Sequence, residues 1–271
     1  MRFSASIGPL ALILLFGLVS PAAFGQSSMP SPAPQRDPQA VAIVQQSVAA
    51  MGGGAAGMIS NIQAKGTLAP APGSYVPEGN FTWLDDFSGA TFEFRHEFDT
   101  ASAVRVQVSG HGSPAVQQGA TVKALQAHAT YTALPYHLPV VLLSRELANQ
   151  NYSIQMGGSV TVEGRPAVQV IIKTETGVIE TALSEQRWDF DASSALPVRI
   201  EYRLASTVYP TYSIPGAVEL SNYQVVSGIA VPFKITAFED GTATSIATIS
   251  SVTFNVSAPA SVFDLGTGGG Q

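Results

Sequence analysis

Asp189 and Asp191 stand two residues apart in Trp188-Asp189-Phe190-Asp191, so on a strand both carboxylates project from one face. Paired acids in that arrangement can share general acid–base work or hold a hard cation. The Ser193-Ser194 pair that follows supplies a plainer reading, a solvated face running into a turn, and this is the favoured one. The four histidines are His96, His111, His128 and His137, and no two share a close metal-ligand spacing. His96-Glu97 continues as Phe98-Asp99-Thr100, without the second histidine of a zinc-protease helix. No Gly-x-Ser-x-Gly elbow occurs, Gly52-Gly53-Gly54 ends a helix instead of opening one, and Gly268-Gly269-Gly270 belongs to a frayed tail. No catalytic residue, metal site or cofactor is assigned.

The aromatic side chains offer a different chemistry. Trp83, Phe92, Phe94, Phe98, Trp188, Phe190, Tyr202, Phe233 and Phe238 are spread over strand-like segments. They either fill a core against helices or line a concave face left partly open, a groove for acyl chains or another apolar ligand. Hydrophobic residues make up 45% of the chain and charged residues 12%, half the charged share of about 25% in an average domain. The formal net charge of −6 disfavours nucleic acid and anionic membrane surfaces as partners. The absence of cysteine excludes disulfides, thiol chemistry and lipid attachment through an N-terminal Cys. Three Asn-x-Ser/Thr triplets begin at Asn80, Asn151 and Asn255.

These side chains need elements to position them. Arg2, the apolar run from Ile7 to Val19 and the small residues of Ala23-Phe24-Gly25 read as a cleavable secretory signal over residues 1–25. The run is shorter than the roughly 20 residues that span a bilayer, so the mature chain is expected to be soluble, periplasmic or secreted. Residues 26–36, rich in Ser, Pro and Gln, read as a disordered tether. Asp37-Pro38 opens a helix with a stripe of Val41, Val44, Val48 and Met51. About ten period-two segments follow, among them Phe92-Phe94-His96-Phe98, Val104-Val106-Val108 and Val198-Ile200-Tyr202-Leu204. Gly157-Gly158 between Tyr152-Ile154-Met156 and Val160-Val162 suggests a hairpin, as does Asp240-Gly241. One interruption, His137 to Leu147 with Pro139 near its start, is apolar around most of a helix and should be buried. A mainly β (α+β) fold is expected, a curved antiparallel sheet wrapped around short helices, as one domain over 37–265 with a tail at 266–271.

This order of elements resembles the periplasmic outer-membrane lipoprotein carrier family, whose relatives include lipoprotein receptors and a periplasmic stress sensor. The residues that carry the resemblance are Glu78-Gly79-Asn80-Phe81-Thr82-Trp83, the helix Leu138 to Leu147, Asp191 to Arg199, Val231-Pro232-Phe233-Lys234 and Asn255 to Leu265. The family follows its early Trp strand with a basic residue and a proline that serve cavity opening; here the stretch is Leu84-Asp85-Asp86-Phe87, and that role is not carried over. The resemblance implies a half-open barrel whose concave face holds lipid acyl chains, without catalysis or cofactor.

The expected function is non-catalytic binding of a lipid, a lipidated protein or another apolar ligand. Phe92, Phe94, Phe98, Val104, Val106, Ile154, Val170, Ile200 and Phe233 would line the groove, covered by Leu142 and Leu143 of the second helix. Each buried acyl methylene would stabilise the complex by about 0.8 kcal/mol. Two alternatives stand beside it. One is an envelope sensor or interaction module using strand edges or the loop Tyr209-Pro210-Thr211-Tyr212. The other is a hydrolase in which Asp189 and Asp191 converge with a histidine in a polar cleft.

Overall fold

The computed structural model describes residues 33–89, 91–110, 113–126, 135–175, 178–206, 209 and 212–266. The expected signal peptide, His111, His128 and Pro210-Thr211 lie outside the described residues.

Asp37 starts helix α1 (Pro38–Ala50) by accepting, through Oδ1, from the amides of Gln39 at 2.8 Å and Ala40 at 3.1 Å. Pro38 fills the first helical position, where no amide is needed. The helix stops at Gly52, whose φ of 86° suits glycine. A Cβ there would run into the carbonyl of Gly228, and the close approach lets Met51 accept from the Ala230 amide at 3.0 Å. A single turn, α2 (Gly53–Ala56), follows.

The strands are β1 (Asn61–Pro70), β2 (Gly79–Asp86), β3 (Glu93–Thr100), β4 (Val104–Gly110), β5 (Ser113–Gln118) and β6 (Thr121–Ala124). After helix α3 (Pro139–Ala148) come β7 (Tyr152–Val162), β8 (Arg165–Thr174), helix α4 (Val178–Ser184), β9 (Gln186–Asp191) and β10 (Pro197–Ala205). The last three are β11 (Ser213–Val226), β12 (Ile229–Glu239) and β13 (Thr242–Phe254), and a 3-10 turn spans Ala260–Phe263. All thirteen form one antiparallel sheet in the order β6-β5-β4-β3-β2-β1-β13-β12-β11-β10-β9-β8-β7. Two meanders thus meet at a β1–β13 seam, and the outer strands β6 and β7 stay unpaired with each other, which is a half-open barrel.

Turns and bulges bend this sheet. Asp240-Gly241, both at positive φ, makes the expected two-residue hairpin between β12 and β13. Gly157-Gly158 makes none: β7 runs straight through it with a bulge between Met156 and Gly158, and the turn comes at Glu163-Gly164. On the seam a second bulge falls at Lys65/Gly66, where a Cβ on Gly66 would meet the Thr248 carbonyl.

Helices α1 and α3 fill much of the concave side. Val44 and Met51 of α1 and Val140, Leu142 and Leu143 of α3 join Ile62, Ile154, Val170, Ile172, Trp188, Ile200 and Leu220 in one buried core. Burying each such aliphatic side chain stabilises the fold by about 1.5–3 kcal/mol. Residue 36 pairs in parallel with Ile154, and the Arg36 guanidinium donates to carbonyls at the end of α3, those of Leu147 (2.7 Å), Asn149 (3.2 Å) and Glu146 (3.5 Å), and to that of Tyr152 (3.3 Å) at the start of β7. Among the described residues no helix is long and apolar enough to cross a membrane.

Candidate ligand-binding site

Strand alternation puts Phe81, Trp83 and Asp85 of β2 on the concave face, opposite Phe98, His96 and Phe94 of β3. Trp83 stacks on Phe81 with ring centres 4.0 Å apart and planes 20° apart. Asp85 is 2% exposed and meets two histidines. His96 Nε2 lies 2.9 Å from Oδ1 in a hydrogen bond, and His137 Nε2, just before α3, lies 2.9 Å from Oδ2 but off the line of one. Burial alone would push the Asp85 carboxyl up. The nearby His96 and His137 rings and the His96 hydrogen bond outweigh it and hold the group well below the usual carboxylate range.

Trp83 lies beside both rings, 5.8 Å from His96 and 5.0 Å from His137. Together with Tyr136 they wall a cleft of about 200 Å³ that the helices leave uncovered. Its remaining lining is Leu68, Val218, Ile235, Ala237 and Ala247, with Ser245 as a polar exception. The arrangement joins an apolar trough to an ionisable end.

Behind Tyr136, whose ring centre lies 6.4 Å from that of Trp188, the concave face is sealed. Trp188 Nε1 donates to Gln186 Oε1 at 2.9 Å, and Gln186 Nε2 donates to Glu146 Oε1 at 2.8 Å. Glu146 Oε2 has no partner, and burial pushes this carboxyl up to about 8, with the Gln186 bond opposing. Such a carboxyl stays largely protonated near neutrality.

The expected lining residues divide into three sets. Ile154, Val170, Ile200 and Phe233 are on the concave side but buried, with Leu142 and Leu143 of α3 in the same core, and Phe94 is buried beside His96. Phe98 is partly exposed against that core, while Phe92 packs edge-on to Phe87 under the Arg145 guanidinium, 4.8 Å away. Val104 and Val106 are on the other face. The register Glu97↔Val106 and Asp99↔Val104 sets them opposite β3's outward residues. Val104 is 45% exposed, and Val106 packs with Val108, Ala115 and Leu265, beside the 3-10 turn.

Asp189 and Asp191 do share a face, but it is the convex one, away from His96 and His137. Nor is that face solvated at these positions, where exposure is 3% and 7%. Asp189 accepts from Gln169 Nε2 at 2.9 Å, and its carboxyl is raised chiefly by burial. Asp191 caps the following turn. It accepts from the amides of Ser193 and Ser194 and both hydroxyls, and these bonds lower it to about 2. Neither aspartate lines the separate charged recess of about 530 Å³, where Arg187 pairs with Glu185 and Arg199 with Glu201 and Glu219.

Sequence reasoning missed Asp85, Tyr136 and His137. Asp85 carried one signal, an acid in phase with Phe81 and Trp83.

No protein-family profile and no curated protein matches the chain. Solved structures do. A DUF1329 family protein from Desulfovibrio piger superposes with a TM-score of 0.56 at 13% identity, covering 83% of this chain and 96% of its own. A putative outer membrane lipoprotein-sorting protein domain from Vibrio parahaemolyticus gives 0.53 at 12%, covering 83% and 95%. A LolA superfamily protein from Nitrosomonas europaea gives 0.52 at 11%, covering 83% and 97%. The chain therefore has the half-open barrel architecture of LolA-like proteins.

Proposed function

We propose that this is an exported, non-catalytic binding protein that holds a lipid, a lipidated protein or another apolar ligand on the concave face of its half-barrel. The observation that carries the reading is the apolar trough beside Trp83, open where the rest of that face is roofed by α1 and α3. Its ligand contacts are Leu68, Trp83, Val218, Ile235 and Ala247, instead of the deeper Ile154, Val170 and Ile200. A cleft of about 200 Å³ is smaller than the 300–1,000 Å³ usual for a drug-sized ligand, so it takes one acyl segment. The lipoprotein-sorting name of a structural neighbour agrees with this reading. The hydrolase alternative loses its basis, because Asp189 and Asp191 are engaged on the convex face.

Export through residues 1–25 and action in the periplasm or outside the cell are part of the same proposal. Native mass spectrometry and solvent extraction of protein purified from its own envelope test it. A co-purifying acyl compound is expected. A protein that emerges empty and leaves acyl probes unbound would sink the reading. The exposed Tyr209 and Tyr212 and the edge strand β6, whose residues are all exposed, support a second role in protein contact.

A further inference from the structure

We infer that the cleft selects its ligand by an acidic head group, a carboxyl on an amphiphile whose tail lies along Leu68, Val218 and Ile235. This rests on the apolar-ligand reading above. A purely apolar ligand needs only apolar walls, and burying an aspartate with two histidines beside such a trough is unfavourable unless those groups are used. Asp85 faces the Nε2 edge of both rings, which turns each Nδ1 edge away from it. No described residue hydrogen-bonds either Nδ1, and none accepts from the Trp83 indole N–H, although both histidines and Trp83 line the cleft.

The charges agree with the geometry. Asp85 is the one carboxylate within reach of two imidazoles, and an acidic head group would supply the second. Asp85 lies behind the two rings, and no described carboxylate lines the cleft itself. Glu146 turns to Gln186, and Arg145 of the same helix donates to the carbonyls of Phe87 and Gly89. A metal ion is not the partner these residues suit, because no group of three or more ligands forms among the described residues. Tyr136, the remaining titratable wall, is a buried phenol whose ionisation is pushed well upward by burial, so it stays neutral.

The test compares decanoate with 1-decanol on the full exported chain by isothermal titration calorimetry. The acid is expected to bind at least about tenfold more tightly, the factor that one charge-assisted hydrogen bond supplies. His96→Gln and His137→Gln should each narrow the decanoate-over-decanol affinity ratio by most of that factor. Equal affinity for acid and alcohol in the unaltered protein overturns the head-group assignment while the apolar reading stands. Binding of neither overturns both. If the variants do not fold, nitrogen-15 spectra of the unaltered protein decide. Decanoate should shift the Nδ1 resonances of His96 and His137 and decanol should not, and unmoved resonances overturn the assignment.

Discussion

Trp83 and Trp188 sit on the concave face of one sheet and differ in what lies over them. Trp188 is 0% exposed, its indole N–H is taken by Gln186, and the α1–α3 core closes around it. Trp83 is partly buried, stacks on Phe81, and borders a cleft beside two histidines. A curved sheet makes both environments from one strand pattern. Where the helices reach it becomes core, and where they stop it becomes a surface that an apolar ligand can complete.

Trp188→Ala should break the sealed region most severely. Losing a buried tryptophan costs about 3–5 kcal/mol, read in urea unfolding. Glu146→Gln should act in the opposite direction. The Glu146 carboxyl titrates at 4.5 when unfolded and about 8 when folded, so the folded state binds more protons between those values. Stability is therefore lost as pH rises from 4.5 through 8 and levels off above. The variant should be more stable at pH 9 by a few kcal/mol, with its slope over that window abolished. Asp85 has the reverse sign. Its lowered carboxyl contributes stability above 3.8 that is lost as pH falls further, and Asp85→Asn should flatten that acid limb of the thermal melting profile.

Smaller effects sharpen the contrast. Arg36→Ala uncaps the α3 carbonyls and should cost about 1–2 kcal/mol, with hydrogen exchange quickened at the end of α3. Trp188→Phe leaves Trp83 as the only indole, whose emission should respond to a bound acyl chain, whereas in Trp83→Phe the remaining emission should not. Val104→Thr, on the exposed convex face, should stay within about 0.5 kcal/mol and leave ligand binding unchanged.

Local chemistry was legible in the sequence. The Asp37-Pro38 helix start, the buried helix after His137 and the Asp240-Gly241 hairpin each depend on neighbouring residues, and each is present. Alternation within β3 and β4 was also plain, but alternation states which residues share a face and not which face turns inward. The β3–β4 register decides that, and it sends Val104 and Val106 outward while Phe94 and Phe98 stay in. The Asp85 site was hidden for another reason. His137 reaches Asp85 from just before α3, far along the chain from β2, a placement no local pattern encodes. The Asp189–Asp191 pair misled differently. Its shared face was correct, yet Gln169 and the Ser193-Ser194 turn supply the partners, so the acids can be buried.

The β1–β13 seam has a consequence for how the molecule forms. Asn61 and Val256, 195 positions apart, lock its end through two hydrogen bonds, of 2.9 and 2.7 Å. Each meander can zip locally from hairpins, whereas the seam must wait for the two ends of the chain to meet, and such distant pairings are slow. With no cysteine to staple a partly formed state, β1 and β13 present open edges until then. The Lys65/Gly66 bulge twists one of those edges away from the flat geometry a stray strand would join, which protects the chain during its slowest step.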